Sequence, residues 1–479
     1  MHDDVTEVEQ HPAALLLTFA VAGGVAGFLE FVFEPLGDGA KLEWRVRGRK
    51  DEVVGEARRA ADIEQRDVVG LEVGKQIDDP MGQRLGIQGA RSISQAAGRA
   101  DRSTAMSAPR VVVGMSGGVD SSVAAALLVE QGYDVVGVTM RLWTEERPDE
   151  LRGHQQCCSV EDIDDARRVA GQLGIRHYVL NFEEAFREHV VDPFVAEYAA
   201  GRTPNPCARC NEHIKYRALL DRLPAFDAAY LATGHYARVV HPDDGSRHRL
   251  LKGVDEAKDQ SYVLYMLGQE QLRQLLLPIG ELRKDEVRAA ARRAGLDVAE
   301  KPDSVEICFV PGNDYRTFVA ERLPPRPGEL RAVDGSVLAE HDGVSGFTLG
   351  QRKGLGVAFG EPRYVTAIDP VANVVVVGEE EELFTDRVAV ERVSWLAGTA
   401  PGPGAAIAAK ARYKAEAAPA VLLAVQGDDA EVRFERRQRA LTPGQAIAFY
   451  DGDEVLGGGT IVRAWRGERP ASDQASAEA

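Results

Sequence analysis

The sequence predicts an α/β protein: a Rossmann-like parallel-sheet domain, a small central domain and a C-terminal β-barrel. Three observations predict it. The apolar run Val111-Val112-Val113 leads through Ser116-Gly117-Gly118-Val119-Asp120-Ser121 into Val123-Ala124-Ala125-Ala126-Leu127-Leu128, so a strand, a glycine-rich loop and a helix follow one another. From Arg110 to about residue 310 strand patterns alternate with helical ones, which implies a parallel sheet covered by helices on both faces. Beyond about Pro311 the texture shifts to turns, glycines and short alternating segments, and the runs 405–413, 420–425, 431–434, 446–449 and 459–462 have the spacing of a small barrel. The expected divisions are an extension over 1–105, the sheet domain over 106–310, the central domain over 311–385, the barrel over 386–466 and a tail over 467–479.

Within the sheet domain the glycine-rich loop comes first. Gly117 and Gly118 remove side chains where the backbone bends and approaches a ligand, so that successive N–H groups can face phosphate oxygens. Ser116 and Ser121 add hydroxyls, and the dipole of the following helix, which ends near Gly132, favours an anion. A buried strand over 135–138 completes the unit. No lysine follows the glycines, which excludes the GxxxxGK[ST] phosphate loop, and Asp120 stands where Mg2+ can be recruited. Further elements are predicted as helices over 160–173, 184–199, 211–223 and 284–294 and strands over 177–182 and 230–232, with the ligand edge at the carboxyl ends of the strands.

A chain of 479 residues accommodates about three domains. Its net charge of −18 argues against nonspecific coating of nucleic acid, so an RNA substrate must meet local basic patches. Five cysteines in a chain this long do not form a secreted disulfide framework, and a cytoplasmic location is expected. Residues 1–105 hold 18 acidic and 13 basic residues, so the remainder still carries −13. Residues 13–29 are uncharged but too few for a span of about 20, with acidic flanks wrong for a signal peptide. A short buried or unstable helix is expected there, without stable membrane association. Met106 lies just ahead of the first regular strand, and the preceding segment is expected to be a poorly ordered, non-catalytic extension or a misassigned start.

The cysteines form the second informative feature. In Thr203-Pro204-Asn205-Pro206-Cys207-Ala208-Arg209-Cys210-Asn211 two prolines stiffen an extended loop, and Asn211 is suited to cap the next helix. That would put Cys210 at a helix N-terminus beside Arg209, where its thiolate is stabilised for nucleophilic attack. Cys308, in Asp303-Ser304-Val305-Glu306-Ile307-Cys308-Phe309, is expected in a loop that folds back. For Cys157 and Cys158 ordinary packing is preferred to a zinc site shared with His154 and the Cys-x-x-Cys.

The hexapeptide 116–121 resembles the signature of the PP-loop ATP pyrophosphatases, which split ATP between its α and β phosphates and activate an oxygen as its adenylate. Together with TPNPCxxCN and the later S-x-E-I-C-F, it is similar to the bacterial tRNA-specific 2-thiouridylase family over 109 to about 466. Gly234-His235-Tyr236, Lys258-Asp259-Gln260-Ser261-Tyr262, Gly350-Gln351-Arg352-Lys353-Gly354 and Tyr450-Asp451-Gly452 match as well.

This resemblance implies that ATP, with Mg2+, adenylates the C2 oxygen of the wobble uridine (U34) of tRNA, after which the carbon accepts sulfur. It implies a persulfide on Cys308 and a nucleophile in Cys210 that can finish in a disulfide with it. ATP would contact Gly114, Met115, Ser116, Gly117, Gly118, Val119, Asp120, Ser121, Met140 and Gly234. RNA would contact Asn205, Pro206, Cys207, His235, Lys258, Asp259, Gln260, Arg412, Tyr413 and Gln445, with Tyr413 or His235 stacking on a flipped base. A sulfur-relay protein or cysteine desulfurase would supply the persulfide. Some relatives carry Asp at the position of Cys207, so its role does not transfer directly. Cys207, Cys210 and Cys308 also make a three-thiolate set for an iron-sulfur cluster, an alternative ranked below the persulfide.

A period of two would put Lys410, Arg412 and Lys414 on one strand face, followed by Arg433, Arg436, Arg437 and Arg439. Between 410 and 439 seven basic residues meet five acidic ones, which fits either an RNA-tracking surface or a solvated edge. Two other functional classes remain open. Another PP-loop adenylating enzyme, such as an amidotransferase-type synthetase or a lysidine-forming enzyme, would leave the cysteines incidental. A noncatalytic sulfur carrier or RNA-binding protein would hold ATP without turning it over.

Overall fold

The computed structural model describes residues 14–20, 26–34, 41–47, 108–143, 160–303 and 307–468. The chain divides into two compact units, Met1–Ala100 and Asp101–Ala479. In the first, β1 (Ala14–Ala20), β2 (Ala26–Glu34) and β3 (Lys41–Arg47) form an antiparallel meander. This corrects the helix expected within 13–29. The decisive pattern is period two rather than mean hydropathy: the register sets Phe33 opposite Leu42, Phe31 opposite Trp44 and Leu29 opposite Val46, with Glu30 opposite Arg45 in between. Among the described residues no helix is long and apolar enough to cross a membrane.

The second unit opens with β4 (Arg110–Gly114), α1 (Val119–Glu130), β5 (Asp134–Arg141), α2 (Val160–Leu173) and β6 (Arg176–Asn181). With β7 (Tyr230–Thr233), and β10 (Leu275–Leu276) further along the chain, the strands form a parallel sheet in the order β10-β7-β4-β5-β6. Alternation within β4 explains its central place. Val111 and Val113 enter a core shared with Val123, Leu128, Val169 and Val287, whereas Val112 enters a core on the other face with Val138, Ile214 and Leu231. Each fully buried valine contributes about 1.5–3 kcal/mol relative to exposure.

Two broken helices wall one face of the sheet. The first, α3, runs as Glu183–Phe186, a π-helical stretch Arg187–Val191, and Asp192–Ala199. The second, α4, starts as Pro206–Arg209 and continues in π geometry through Cys210–Ala218. The widened turns meet: His189 stacks on His213 with ring centroids 5.0 Å apart, and Arg209 Nε donates to His189 O at 2.9 Å. Such π segments occur frequently at functional sites. Lys284–Arg293 forms α5 and covers the opposite face, burying Val287 and Ala291.

After α6 (Tyr315–Ala320) comes the central domain. It is a four-stranded sheet of β11 (Gly328–Ala332), β12 (Val337–His341), β13 (Tyr364–Asp369) and β14 (Val374–Gly378), in the order β12-β11-β14-β13. The barrel comprises β15 (Phe384–Trp395), β16 (Ala406–Lys410), β17 (Ala418–Gln426), β18 (Asp429–Arg439), β19 (Ala446–Asp451) and β20 (Glu454–Trp465). It closes because β15 pairs with both β18 and β20.

The sequence pattern misses β15, whose Val388 and Val390 face inward before a bulge between Glu391 and Ser394 lets Val393 face inward as well, out of alternation. A hairpin of the sheet domain, β8 (Ala237–Val240) and β9 (Arg249–Lys252), joins the barrel through β20. Tyr262 and Leu264 of the sheet domain share one apolar core with Ala446, Ala448 and Tyr450 of the barrel. The two are thus one packed body.

Candidate active site

The loop between β4 and α1 is tied back on itself. Ser121 Oγ accepts from Ser116 N at 3.1 Å and lies 3.2 Å from Ser116 Oγ, while Ser122 Oγ donates to Gly118 O at 2.8 Å. Met115 N donates to Val138 O, and Thr139 Oγ1 donates to Met115 O, both at 2.8 Å, which anchors Gly114-Met115 to β5. Gly118 is the N-cap of α1 and no side chain caps it, so the first amides of the helix remain for an anion. Gly117 has φ +72°, and a Cβ there would meet Asp162 O at 2.2 Å. Gly234, just after β7, would put a Cβ 2.5 Å from Ser121 N, so its main chain lies directly against the start of α1. Met140 is half-buried near the end of β5, on the same sheet edge.

Charge organises the rest of this end. Asp120, in the first turn of α1, accepts from Tyr236 Oη at 2.7 Å and from Lys284 Nζ at 2.7 and 2.9 Å. Lys284 also reaches Asp303 at 2.7 Å, and Asp303 further receives Lys258 at 2.7 Å and Arg288 at 3.2 Å. Burial pushes the Asp303 carboxyl up, but hydrogen bonds from Lys258 and Lys284 outweigh it and the net shift is downward. Burial, reinforced by Asp120, pushes the Tyr236 phenol far up, so it remains a donor. Lys301 braces the loop from behind, donating to Gly117 O at 3.1 Å and to Asp162 at 2.6 Å. Lys284, Lys301 and Asp303 have no motif signal of their own. They come from positions more than 160 residues beyond the loop and are recruited by the fold.

The cysteine loop is built differently. Asn205, not Asn211, caps α4: its Oδ1 accepts from Ala208 N at 3.1 Å, and Pro206 fills the first helical position with its fixed φ. Cys210 therefore lies inside the helical run and is buried, correcting the helix-terminus placement. Asn211 is buried instead, donating from Nδ2 to Val263 O at 2.8 Å. Cys207 is exposed and Cys308 half-buried. Cys210 belongs to the same apolar core as Phe309, against which Cys308 packs; the Phe309 ring stands 5.1–5.6 Å from those of Phe186, Phe194 and Phe318. Cys308 follows Asp303 by five residues, a reach of at most about 18 Å, so it is tethered near the Lys284 and Asp120 pair.

Barrel residues pack against the cysteine loop. Gln445 Nε2 donates to Thr203 O at 2.9 Å, and Thr203 N donates to Pro443 O at 2.8 Å, docking the proline loop on the barrel. Tyr413 is 44% exposed, and its phenol, raised chiefly by burial, also feels Lys258, Asp259, Cys207 and Asp303. The strand ends at Lys410, so the expected three-residue cationic face does not form. Lys410 is buried 3.7 Å from Asp259, and Arg412 is half-buried and donates to Ala440 O.

Asp259 also accepts from Gly253 N and Ser261 N at 3.1 Å, and Gln260 Oε1 accepts from Tyr236 N at 3.0 Å. His235 is 8% exposed, with Nδ1 held by Thr233 and Tyr216 hydroxyls at 2.8 and 3.0 Å, and burial drives its pKa well below 6.5. In this arrangement its ring faces are covered, whereas that of Tyr413 is accessible. Among the described residues no group of three or more His, Cys, Asp or Glu is placed to hold a metal ion, the three cysteines included. His154, Cys157 and Cys158 lie outside the described residues.

A phosphate cradle at the carboxyl edge of a parallel sheet, with a carboxylate in the first helical turn and no lysine of its own, defines the PP-loop class of nucleotide-binding proteins. Residues 109–312 match the family model described as the tRNA methyl transferase HUP domain. Residues 316–379 match its PRC-barrel domain, and 385–461 match the aminomethyltransferase beta-barrel domain. The tRNA-specific 2-thiouridylase MnmA of Carboxydothermus hydrogenoformans is 51% identical over 358 residues, covering 74% of this chain and 98% of the relative. Those of Geotalea uraniireducens (51% over 361 residues, 74% and 95%) and Heliobacterium modesticaldum (50% over 357, 74% and 92%) are similar to the same extent. The chain belongs to the tRNA-specific 2-thiouridylase (MnmA/TrmU) family.

Proposed function

We propose that this protein is an ATP-dependent tRNA uridine 2-sulfurtransferase acting on the wobble uridine. The uridine O2 attacks the α-phosphate of ATP, the bond to the β-phosphate breaks, and pyrophosphate leaves. The outer sulfur of a Cys308 persulfide then bonds to C2 as AMP departs with O2. Cys210 attacks the Cys308 Sγ, the S–S electron pair passes to the nucleobase sulfur, and a Cys210–Cys308 disulfide remains for reduction. A sulfur-relay protein or cysteine desulfurase reloads Cys308.

The observation that carries this reading is the ionic chain from Asp120 through Lys284 to Asp303, since it draws the segment bearing Cys308 toward the phosphate loop. Asp120 fits Mg2+, which takes few protein carboxylates and keeps waters and phosphate oxygens as its other ligands, and the ion would neutralise phosphate charge. Gly114–Ser121, Met140 and Gly234 are assigned to ATP; Asn205, Pro206, Cys207, Lys258, Asp259, Gln260, Arg412, Tyr413 and Gln445 to RNA, with Tyr413 the stacking ring and His235 a positioning group.

The test is mass spectrometry of tRNA incubated with the protein, ATP, a persulfide donor that loads Cys308 and a thiol reductant that reopens the disulfide. A 2-thiouridine at the wobble position with stoichiometric AMP and pyrophosphate is expected; pyrophosphate release without sulfur incorporation would point to another adenylating enzyme. Residues 1–105 are assigned no catalytic part, because the family models match within 109–461 and relatives are matched over 92–98% of their length by 74% of this chain. Thiolation by a chain lacking them is expected to be unchanged.

A further inference from the structure

A cavity of about 140 Å³ lies between the start of α4 and the barrel. At about 30 Å³ per water it has room for four or five waters. Its walls include Asn205, Arg209 and Glu212 from the sheet domain and Arg392 and Thr460 from the barrel. Two guanidinium groups from different domains thus share one small polar space. Arg209 is half-buried, and among the described residues its guanidinium makes a hydrogen bond only from Nε, to His189 O, so both Nη groups are left for the cavity. Burial lowers its pKa and the charge of Arg392 lowers it further; Glu212, Glu197 and Tyr265 act in the opposite direction without outweighing them.

Arg392 has φ +53° within the bulge of β15, and its Nη2 donates to Thr460 Oγ1 at 3.0 Å. Bulges re-aim side chains, and left-handed non-glycine residues cluster at ligand contacts. Carboxylates offset part of this charge: Glu197, also on the wall, is committed to Arg202 through two bonds of 2.6 Å, Glu391 lies 3.7 Å from Arg392 in an exposed pair, and Glu212 is on the wall with Arg209.

We propose that this cavity is a subsite for one backbone phosphate of the RNA, gripped by Arg209 and Arg392 with the Thr460 hydroxyl. The assignment rests on the proposed function, which puts Asn205 against the RNA. Asn205 is on the cavity wall, and Gln445, the RNA contact on the barrel, stands between the wall residues Gly444 and Ala446. A phosphate held here would therefore belong to the RNA segment that Asn205 and Gln445 contact.

Binding of unmodified tRNA is to be measured across a salt series for wild type, R209M, R392M, the double variant and R209K. One lost phosphate contact lowers the slope of log K against log salt by about 0.7–0.9. The double variant is expected to show that drop and about tenfold weaker binding near 0.15 M salt, with R209K retaining the wild-type slope. Arg392 has a side chain 56% exposed, so R392M reads the site even where R209M fails to fold.

A wild-type slope in folded variants would overturn the proposal, as would a lowered melting temperature in R392M without a change in slope. Pyrophosphate that raises the melting temperature of wild type but not of R392M, with the tRNA slope unchanged, would assign the cavity to a free anion and overturn it too. Should wild type thiolate tRNA while the variants keep its slope, this subsite fails alone; should wild type form no thiouridine, the functional reading fails.

Discussion

The two ends of the candidate site are held by different forces. At the nucleotide end two sets of charge-assisted bonds meet the phosphate loop: Lys284, Lys258 and Arg288 with Asp120 and Asp303, and Lys301 with Asp162 and Asp165. At the sulfur end Cys210 and Phe309 are packed in apolar surroundings, and the proline loop is fixed by main-chain bonds to the barrel. An anion entering the first end must rearrange ion pairs already present. On the proposed function, a persulfide at the second would work beside an aromatic cluster. The phosphate site is therefore sensitive to charge and main-chain geometry, and the sulfur site to thiol identity and packing.

The largest expected effect tests that division at the sulfur end. Cys308→Ser and Cys210→Ser should each reduce thiouridine formation at least about 1,000-fold, as loss of a nucleophile does elsewhere, while thermal melting of Cys308→Ser stays close to wild type and Cys210→Ser, which buries a hydroxyl in the apolar core, loses about 1–3 kcal/mol. Retained thiolation with an intact fold would erase the contrast. At the other end, Gly117→Ala introduces a Cβ 2.2 Å from Asp162 O at φ +72° and should destabilise the loop by about 1–3 kcal/mol. ATP affinity measured by calorimetry should fall with it, and an unchanged value would show that the loop does not cradle the nucleotide.

Replacing Lys284 with Met sharpens the comparison further, because it leaves Asp120 and Asp303 facing each other without their shared cation. Breaking a buried pair costs about 3–5 kcal/mol, but these carboxylates are 31% and 26% exposed, so solvent screening reduces the expected loss to about 1–3 kcal/mol. Chemical denaturation gives the value. The cap of α4 is worth less: Asn205→Ala should cost about 1 kcal/mol, and an effect below a few tenths would mean that Pro206 alone fixes the helix start.

How much of this was legible in the chain follows the same physical line. Local geometry announces itself, so Ser116–Ser121 marked the strand–loop–helix turn between β4 and α1, and α2 and the parallel strands followed from periodicity. Long-range recruitment does not. Lys284 and Asp303 are ordinary charged residues until β4, β7 and α5 bring them to Asp120, and Arg392 is an ordinary strand residue until a bulge turns it. Asn205 and Asn211 are both capping residues by type; only the fixed φ of Pro206 decides between them. Lys410 matched an outward face by period two, yet the buried Asp259 opposite holds it inside. Five strands of the barrel left their alternation in the sequence, whereas the sixth, β15, hid behind its bulge.

The smallest expected effect concerns pH and lies between the two ends, at His235. Its buried ring, held by Thr233 and Tyr216, has a folded pKa well below 6.5. Below about pH 6.5 the unfolded chain therefore binds a proton that the folded chain refuses. Stability should decline as pH falls from about 6.5 toward the folded value, and level off at the lower value once both states are protonated. His177, His213, His241 and His341 are shifted the same way by burial and add to the slope. Asp303 acts in a lower window: its folded pKa is depressed, so the stability it contributes is complete above about 3.8 and lost as pH drops through the folded value. Urea denaturation of wild type and His235→Gln between pH 5 and 8 separates the two, since the variant should show a shallower decline below about pH 6.5. An identical slope would mean that His235 is protonated in the folded protein and that its ring is wet, which would return it to the RNA-facing side of the site.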